Sequence, residues 1–294
     1  VAPRARTNPE QPEVVSPGGI ELRAFSVSGF ATYVHVPAFD VCFDLGHCSA
    51  AVAGVERVFL SHVHQDHAGG VPRYAALRGL WGSSPGKVVC PHESVEALRE
   101  VLEAWARLEE KPSPKATVLR GVRPGDRVEL GRRYSVDVFD VPHRIHSRGY
   151  SVIEHRKTLL PEWEGKTGVE IGQAVAAGHT VHALSDHRRL TYVGDHTIEV
   201  IAQNPEMMDC DVLLLEATYL PGTDRELARK WGHTHLEELV EVYERSPELL
   251  PARHIVLKHF SMRHDPAEIR AAHAILPDGL RERVLLLAGE PVTR

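Results

Sequence analysis

Ten residues constrain this chain more than any others: Ser61-His62-Val63-His64-Gln65-Asp66-His67-Ala68-Gly69-Gly70, directly behind the apolar run Val58-Phe59-Leu60. Three histidines and an aspartate within six positions, at the end of a strand expected to be buried, are costly as packing and natural as metal ligands. On an extended segment residues two apart share a face, so His62 and His64 point the same way and can bind one ion. Asp66 and His67 lie further round the turn and can serve a second. Imidazole suits zinc, and a carboxylate beside it suits a hard or borderline divalent cation. A two-metal hydrolytic centre needs roughly seven or eight ligands, so the fold must bring more donors to this turn.

The chain offers them at later strand ends. His143 follows the run Val138 to Val141, Asp195 follows Leu190 to Val193, and His259 follows His254 to Lys258. A strand-end carboxylate such as Asp195 can bridge two ions. Taken singly, these residues have ordinary roles in turns and caps; in this order, behind the first motif, they read as one set.

Periodicity predicts strands over 20–27, 31–36, 41–44, 56–61, 87–90, 116–119, 127–130, 134–141, 149–154, 190–193, 212–216, 254–258 and 283–287. Helices are expected over 71–81, 94–109, 169–177, 198–203, 224–230, 236–245 and 266–275. In the second of these, Val95, Leu98, Leu102, Trp105 and Leu108 fall on one face. Alternating elements with a hairpin-rich start predict an α/β (α+β) fold: two packed mixed sheets with helices on both outer faces. Residues 1–18, rich in Pro and Glu without periodicity, read as a disordered tail, and 19–294 as one domain, since no Gly/Ser- or Pro-rich linker interrupts it. Residues 154–188 resist assignment and read as a protruding arm.

Composition removes several classes. No apolar run approaches the ~20 residues of a membrane span, and the first residues lack the apolar core of a secretory signal. The four cysteines show no CxxC spacing, so reduced thiols and a cytoplasmic location are expected. With 34 Lys+Arg against 40 Asp+Glu, the net charge of -6 argues against a uniformly basic nucleic-acid binder, though not against a local basic groove.

The order His62-x-His64-x-Asp66-His67, His143, Gly194-Asp195 and His259 resembles the metallo-β-lactamase superfamily. Leu215-Glu216-Ala217-Thr218-Tyr219, Gly232-His233-Thr234-His235 and Lys258-His259-Phe260-Ser261-Met262-Arg263 resemble more narrowly the tRNA 3'-processing endonucleases (tRNase Z), in their short, plant-type form. The resemblance implies a four-layer αβ/βα sandwich. It implies two divalent ions, of zinc type: one held by His62, His64 and His143, the other by Asp66, His67 and His259, with Asp195 bridging. It implies in-line attack on phosphorus by a metal-bound hydroxide, with Asp66 orienting or deprotonating the water. His233, held by Glu216, would protonate the leaving 3'-oxygen. Arg263 and, more weakly, Ser261 would contact a substrate phosphate. Precursor tRNA would be the substrate, losing its 3' trailer, and the protein would be a homodimer whose arm serves the partner's site.

This chain has its own features. Gly194-Asp195-His196 stands where the family has Gly-Asp-Thr, and His264 follows Arg263 where the family has Tyr. Between Glu154 and Glu170 the arm carries four acidic residues against Arg156, Lys157 and Lys166. It would clamp RNA only if cations such as Arg144, Arg148, Arg188 and Arg189 lay alongside. His146 and His196 lie near enough to the ligand candidates to support them from behind. The rival readings are a hydrolase of the same fold acting on a small-molecule or other phosphodiester substrate, and a non-catalytic binding member.

Overall fold

The computed structural model describes residues 8–110 and 117–289. The first sheet is built, in spatial order, from β1 (Glu13–Val15), β2 (Leu22–Ser28), β3 (Ala31–Val36), β4 (Val41–Phe43), β5 (Arg57–Phe59), β6 (Gly86–Pro91) and β7 (Thr117–Val122). The second runs through β8 (Arg127–Glu129), β9 (Tyr134–Val141), β10 (Ser147–Leu159), β11 (His182–Tyr192), β12 (Val212–Glu216) and β13 (His254–Lys258). A short β14 (Phe260–Ser261) returns to pair with β2, and β15 (Val284–Leu286) closes the second sheet beside β13.

Each sheet begins as an antiparallel meander and turns parallel part-way. The change comes at β4 in the first sheet and at β11 in the second. Parallel neighbours end at a common rim, and in such sheets ligands bind beyond the carboxyl ends of the strands. Asp44, Ser61-His62, Asp195, Glu216 and His259 all follow or end these parallel strands.

Strand alternation sorts the apolar residues into three cores. Phe43, Phe59, Val136, Tyr150, Tyr192 and Leu214 fill the space between the sheets. Cys42, Val58, Leu60 and Val88 face outward onto Tyr74, Leu98 and Leu102 of the helices Val71–Leu80 and Val95–Leu108. Leu213, Leu215, Ile255 and Leu257 face Leu239, Ile269 and Leu280 on the other side. Three cores make four layers, helices outside and two sheets within. The unbroken apolar run of β12 follows, because its two faces are covered by different layers.

Three expectations need correction. Within the supposed tail, Glu13–Val15 pairs antiparallel with β2 through Glu13↔Ala24, so order begins well before residue 18; residues 1–7 lie outside the described residues. The strands expected over 149–154 and 190–193 are longer. They continue as an antiparallel ribbon from Tyr150↔Tyr192 to Leu159↔His182, topped by the helix Gly168–Ala176. The ribbon is solvated on its outer half, so it lacks the apolar alternation that would have marked it. In the helix Val95–Leu108 the buried stripe is Leu98, Leu102 and Ala106, while Trp105 and Leu108 face solvent.

That last correction is measurable by urea unfolding. Leu102→Ala should cost about 2–5 kcal/mol, as a large-to-small change in a packed core does. Leu108→Ala, at 77% exposure, should stay within about 0.5 kcal/mol.

Candidate metal centre

Six strand ends and turns deliver the site. The motif's turn becomes a one-turn helix, Gln65–Ala68, packed so that His67 is fully buried and Asp66 half-buried. Its backbone is held by Leu45, whose N–H bonds the His67 carbonyl at 2.7 Å. Asp66 accepts the Gly29 N–H at 2.7 Å from the β2–β3 turn. His143 follows β9, Asp195 follows β11, and His259 follows β13 in a left-handed conformation, φ 64°. Non-glycine residues seldom adopt that conformation, and such strain collects at functional sites.

Three overlapping groups of donor atoms result. His62, His64, His143 and Asp195 place one ligand atom each within 4.8 Å of one another, and so do Asp66, His67 and His259, and Asp195, His233 and His259. Asp195 belongs between the first two. Its Oδ2 lies 3.6 Å from His62 Nε2, while Oδ1 lies 3.2 Å from His67 Nε2 and 3.3 Å from His259 Nε2.

The hydrogen bonds behind the rings decide which nitrogens face inward. His67 Nδ1 donates to Asp44 Oδ2 at 2.8 Å, and His143 Nδ1 to the Gly232 carbonyl at 2.8 Å. His259 Nδ1 donates to Thr218 Oγ1 at 2.9 Å, and His62 Nδ1 to Ser61 Oγ at 3.0 Å. With those protons committed, the inward nitrogens of His62, His67, His143 and His259 are bare lone pairs. They nevertheless face one another: His67 Nε2 and His259 Nε2 are 3.0 Å apart, His62 Nε2 and His64 Nδ1 2.9 Å, His143 Nε2 and His64 Nδ1 3.3 Å. Asp195 Oδ1, buried, has no hydrogen-bond donor among the described residues. Lone pairs packed against a carboxylate call for cations at their centres. The spacing fits: donors about 2.0–2.1 Å from a tetrahedral zinc sit about 3.3 Å from each other. Burial pushes His62, His64 and His143 below the usual histidine pKa, toward the neutral form that binds metal. Burial opposes the charge on Asp66, yet His259 and His67 hold it well below the carboxylate range.

Beside this centre lies a second unit. Glu216, fully buried at the end of β12, accepts His233 Nδ1 at 2.9 Å, Thr234 N at 3.1 Å and His196 N at 3.2 Å on one oxygen. The other oxygen accepts Thr218 N at 2.8 Å and Thr218 Oγ1 at 2.6 Å. Burial disfavours charge on His233, but Glu216 outweighs it and lifts its pKa to about 9. His233 also lines a cavity of about 320 Å³ with Tyr219, Trp231, Ser261 and Arg263. Arg263 is thus an exposed residue at the rim, and Ser261 is half-buried beside it.

Glycines allow the close approaches. A Cβ on Gly194 would stand 2.3 Å from Ser61 Oγ, and one on Gly232 2.9 Å from His143 Nδ1, where φ is +75° as well.

Of the two histidines expected to support the site from behind, His196 does so and His146 does not. His196 turns away from the donor atoms. Its Nδ1 faces the Thr197 carbonyl and Thr234 Oγ1, and its Nε2 accepts the Glu216 N–H at 3.3 Å. It braces the strand that carries Glu216, and burial lowers its pKa to about 4. His146 is exposed. Sequence reasoning missed Asp44, Thr218 and Trp231. Asp44 carried a signal, since it closes the apolar run Val41-Cys42-Phe43 just as Glu216 closes β12.

Comparison with known proteins agrees with this geometry. Residues 45–260 match the model of the beta-lactamase superfamily domain. The chain is 29% identical to tRNase Z TRZ1 of Arabidopsis thaliana, covering 92% of this chain and 95% of that protein. It is 30% identical to the chloroplastic tRNase Z TRZ2 of the same organism, covering 92% of this chain and 77% of that one. The short form of human tRNase Z superposes with a TM-score of 0.55 at 18% identity, covering 94% of both chains, which supports the sandwich fold.

The role given to His196 has a direct check. His196→Thr should leave the number of bound metal ions unchanged while lowering the melting temperature, read by elemental analysis beside calorimetry. Loss of an ion on this substitution would make His196 a ligand.

Proposed function

This chain belongs to the tRNase Z family of the beta-lactamase superfamily and is a metal-dependent hydrolase; from that premise we propose that it removes 3' trailers from precursor tRNA as a two-metal phosphodiesterase. The observation that carries the reading is the pairing of the donor cluster with the Glu216–His233 unit. The first suits hydrolysis in general, and the second supplies an acid where a poor leaving group needs one.

The proposed ligands are His62, His64 and His143 for one ion and Asp66, His67 and His259 for the other, with Asp195 shared; the donor set suits zinc. Two divalent ions, when bound, supply Lewis acidity that acidifies water and stabilises charge developing on the phosphate oxygens. Asp66 orients or deprotonates the attacking water. His233, kept charged and aligned by Glu216, delivers a proton to the leaving 3'-oxygen as the P–O bond breaks. Trp231, 44% exposed at the cavity rim with Arg144 over its ring at 4.7 Å, offers a stacking surface for a base. Arg263 and Ser261 lie where a flanking phosphate passes.

The charge of the arm supports RNA better than its composition does. At the arm's root, Arg132, Arg133, Arg156, Lys157 and Arg189 line an open cavity of about 610 Å³, and Arg253 joins Arg156 and Arg189 in an adjoining one of about 400 Å³. These six cations face only two carboxylates, Glu154 and Asp211. Burial opposes the charge on Glu154, but Arg133, Arg189 and Arg156 hold its pKa down to about 2, so it never gives up neutralising them near neutrality. Of the cations considered from sequence, Arg148 is committed to Glu93 and Asp140, Arg188 to the carbonyls of Glu206 and Asp209, and Arg189 to Glu154 and Asp211.

The 13 residues of β10 start at the site and carry the chain about 40 Å away from it at the usual rise per residue. An arm of that reach serves a neighbouring subunit's substrate more readily than its own, which supports a homodimer. No helix of the described residues is long and apolar enough to cross a membrane. Four buried free cysteines suit a reducing cytoplasm.

One experiment tests the reading: turnover of precursor tRNA and of a small phosphodiester with an activated leaving group, by three proteins. The parent should cleave the precursor. His233→Ala should lose about 10²–10⁴ in precursor turnover and much less on the activated diester, with its metal content intact. The double variant Arg132→Gln, Lys157→Gln should weaken precursor binding, with a shallower salt dependence, and leave the small diester untouched. Turnover of the small diester alone by the parent would reject the RNA reading.

A further inference from the structure

Among the described residues a lysine lies at 0% exposure with no hydrogen bond to its ammonium: Lys258, the last residue of β13. A buried cation without a partner is costly, and breaking even with hydrophobic packing takes a strong compensating field. Here the field comes from the metal centre. Lys258 Nζ sits 4.6 Å over the ring centroid of Tyr192. The hydroxyl of Tyr192 donates to Asp44 Oδ2, the same oxygen that receives the His67 ring. Burial lowers the pKa of the ammonium, and Asp195, Asp44, Glu216 and Asp66 act against that, favouring its charge. Those four carboxylates are themselves buried or half-buried. No ion pair to Lys258 forms within 4.0 Å among the described residues, so it acts on the group as a whole and not on one carboxylate. Unlike a snorkelling lysine, it has its charged end in protein instead of water.

We propose that Lys258 is a built-in countercharge of the metal centre: its ammonium offsets the carboxylates when divalent ions are absent and opposes the ions when they load. The two effects share one origin. A fixed positive charge stabilises a cluster of anions and repels each cation that joins it. By linkage, whatever favours the metal-free state weakens metal binding by the same factor. Lys258 thus holds the cluster together before loading, and makes loading reversible at lower chelator strength than the ligand set alone would give. The inference rests on the two-metal reading of the site. It concerns a positioning charge, not a group that touches substrate.

The test compares the parent with Lys258→Met, which keeps length and ring contact and removes charge. Zinc affinity is read by competition with a chelator, and melting temperature is read with and without the ion. Lys258→Met should bind zinc at least tenfold more tightly, melt lower than the parent when metal-free, and recover or exceed the parent's melting temperature when loaded. Unchanged affinity, or an equal shift of both melting temperatures, would make Lys258 a packing residue and overturn the proposal. If the metal-free variant does not stay folded, extraction of zinc from the loaded variant decides instead: slower loss to the chelator supports the countercharge, and loss at the parental rate rejects it. Lys258→Gln repeats the measurement with a polar neutral side chain. A parent that takes up no zinc would sink the metal reading itself, which is a different result from a parent and variant that bind alike.

Discussion

The carboxylate of Asp44 ties the two halves of this molecule to its chemistry. It is fully buried. It accepts the Ser61 N–H at 2.6 Å, the Ser61 hydroxyl at 2.9 Å and the His67 ring at 2.8 Å, together with the Tyr192 hydroxyl from the opposite sheet. One side chain thus orients a motif histidine, seats the start of the motif, and clamps the second sheet across the central core. Its left-handed backbone, φ 55°, turns the chain sharply enough to aim it there. Orienting carboxylates behind ligand histidines commonly matter about as much as the ligands. Here the same group also carries tertiary structure, so the site and the sandwich stand or fall together.

Around that tie, the topology explains where chemistry gathers. Both sheets pass from antiparallel to parallel, and the carboxyl ends of the parallel strands form one rim. Each strand end then places a single polar residue where the apolar layers stop. The neighbouring backbones come close because Gly194 and Gly232 carry no side chain. Preorganisation is therefore a property of the frame: the rings are fixed from behind by Asp44, Ser61, Gly232 and Thr218, and nothing at the centre has to move for the donors to converge.

Much of this was legible from the chain. His62 to His67 follow an apolar strand, and His143, Asp195 and His259 repeat that arrangement, so their convergence could be expected from position alone. The sandwich was legible for the same reason, since buried strands declare themselves by unbroken apolar runs such as Leu213-Leu214-Leu215. The rest was hidden by physics that sequence pattern does not carry. The ribbon beyond Glu154 is polar on its exposed half and shows no alternation. The buried face of Val95–Leu108 turns on Ala106, whose small side chain weighs little in a periodicity where Trp105 and Leu108 weigh much. His196 adjoins Asp195, yet successive residues leaving a strand point to opposite sides, so it supports the site from behind. Nothing in the pattern around Lys258 marks it as enclosed, and only the packed structure buries it.

On the proposed function, the bare nitrogens and Oδ1 of Asp195 surround two cation positions. Anomalous diffraction at the zinc edge, from crystals grown with zinc, tests it directly. Two peaks are expected about 3.5–4 Å apart on either side of the Asp195 carboxylate, one among His62, His64 and His143 and one among Asp66, His67 and His259. A single peak, or peaks away from Asp195, would contradict it.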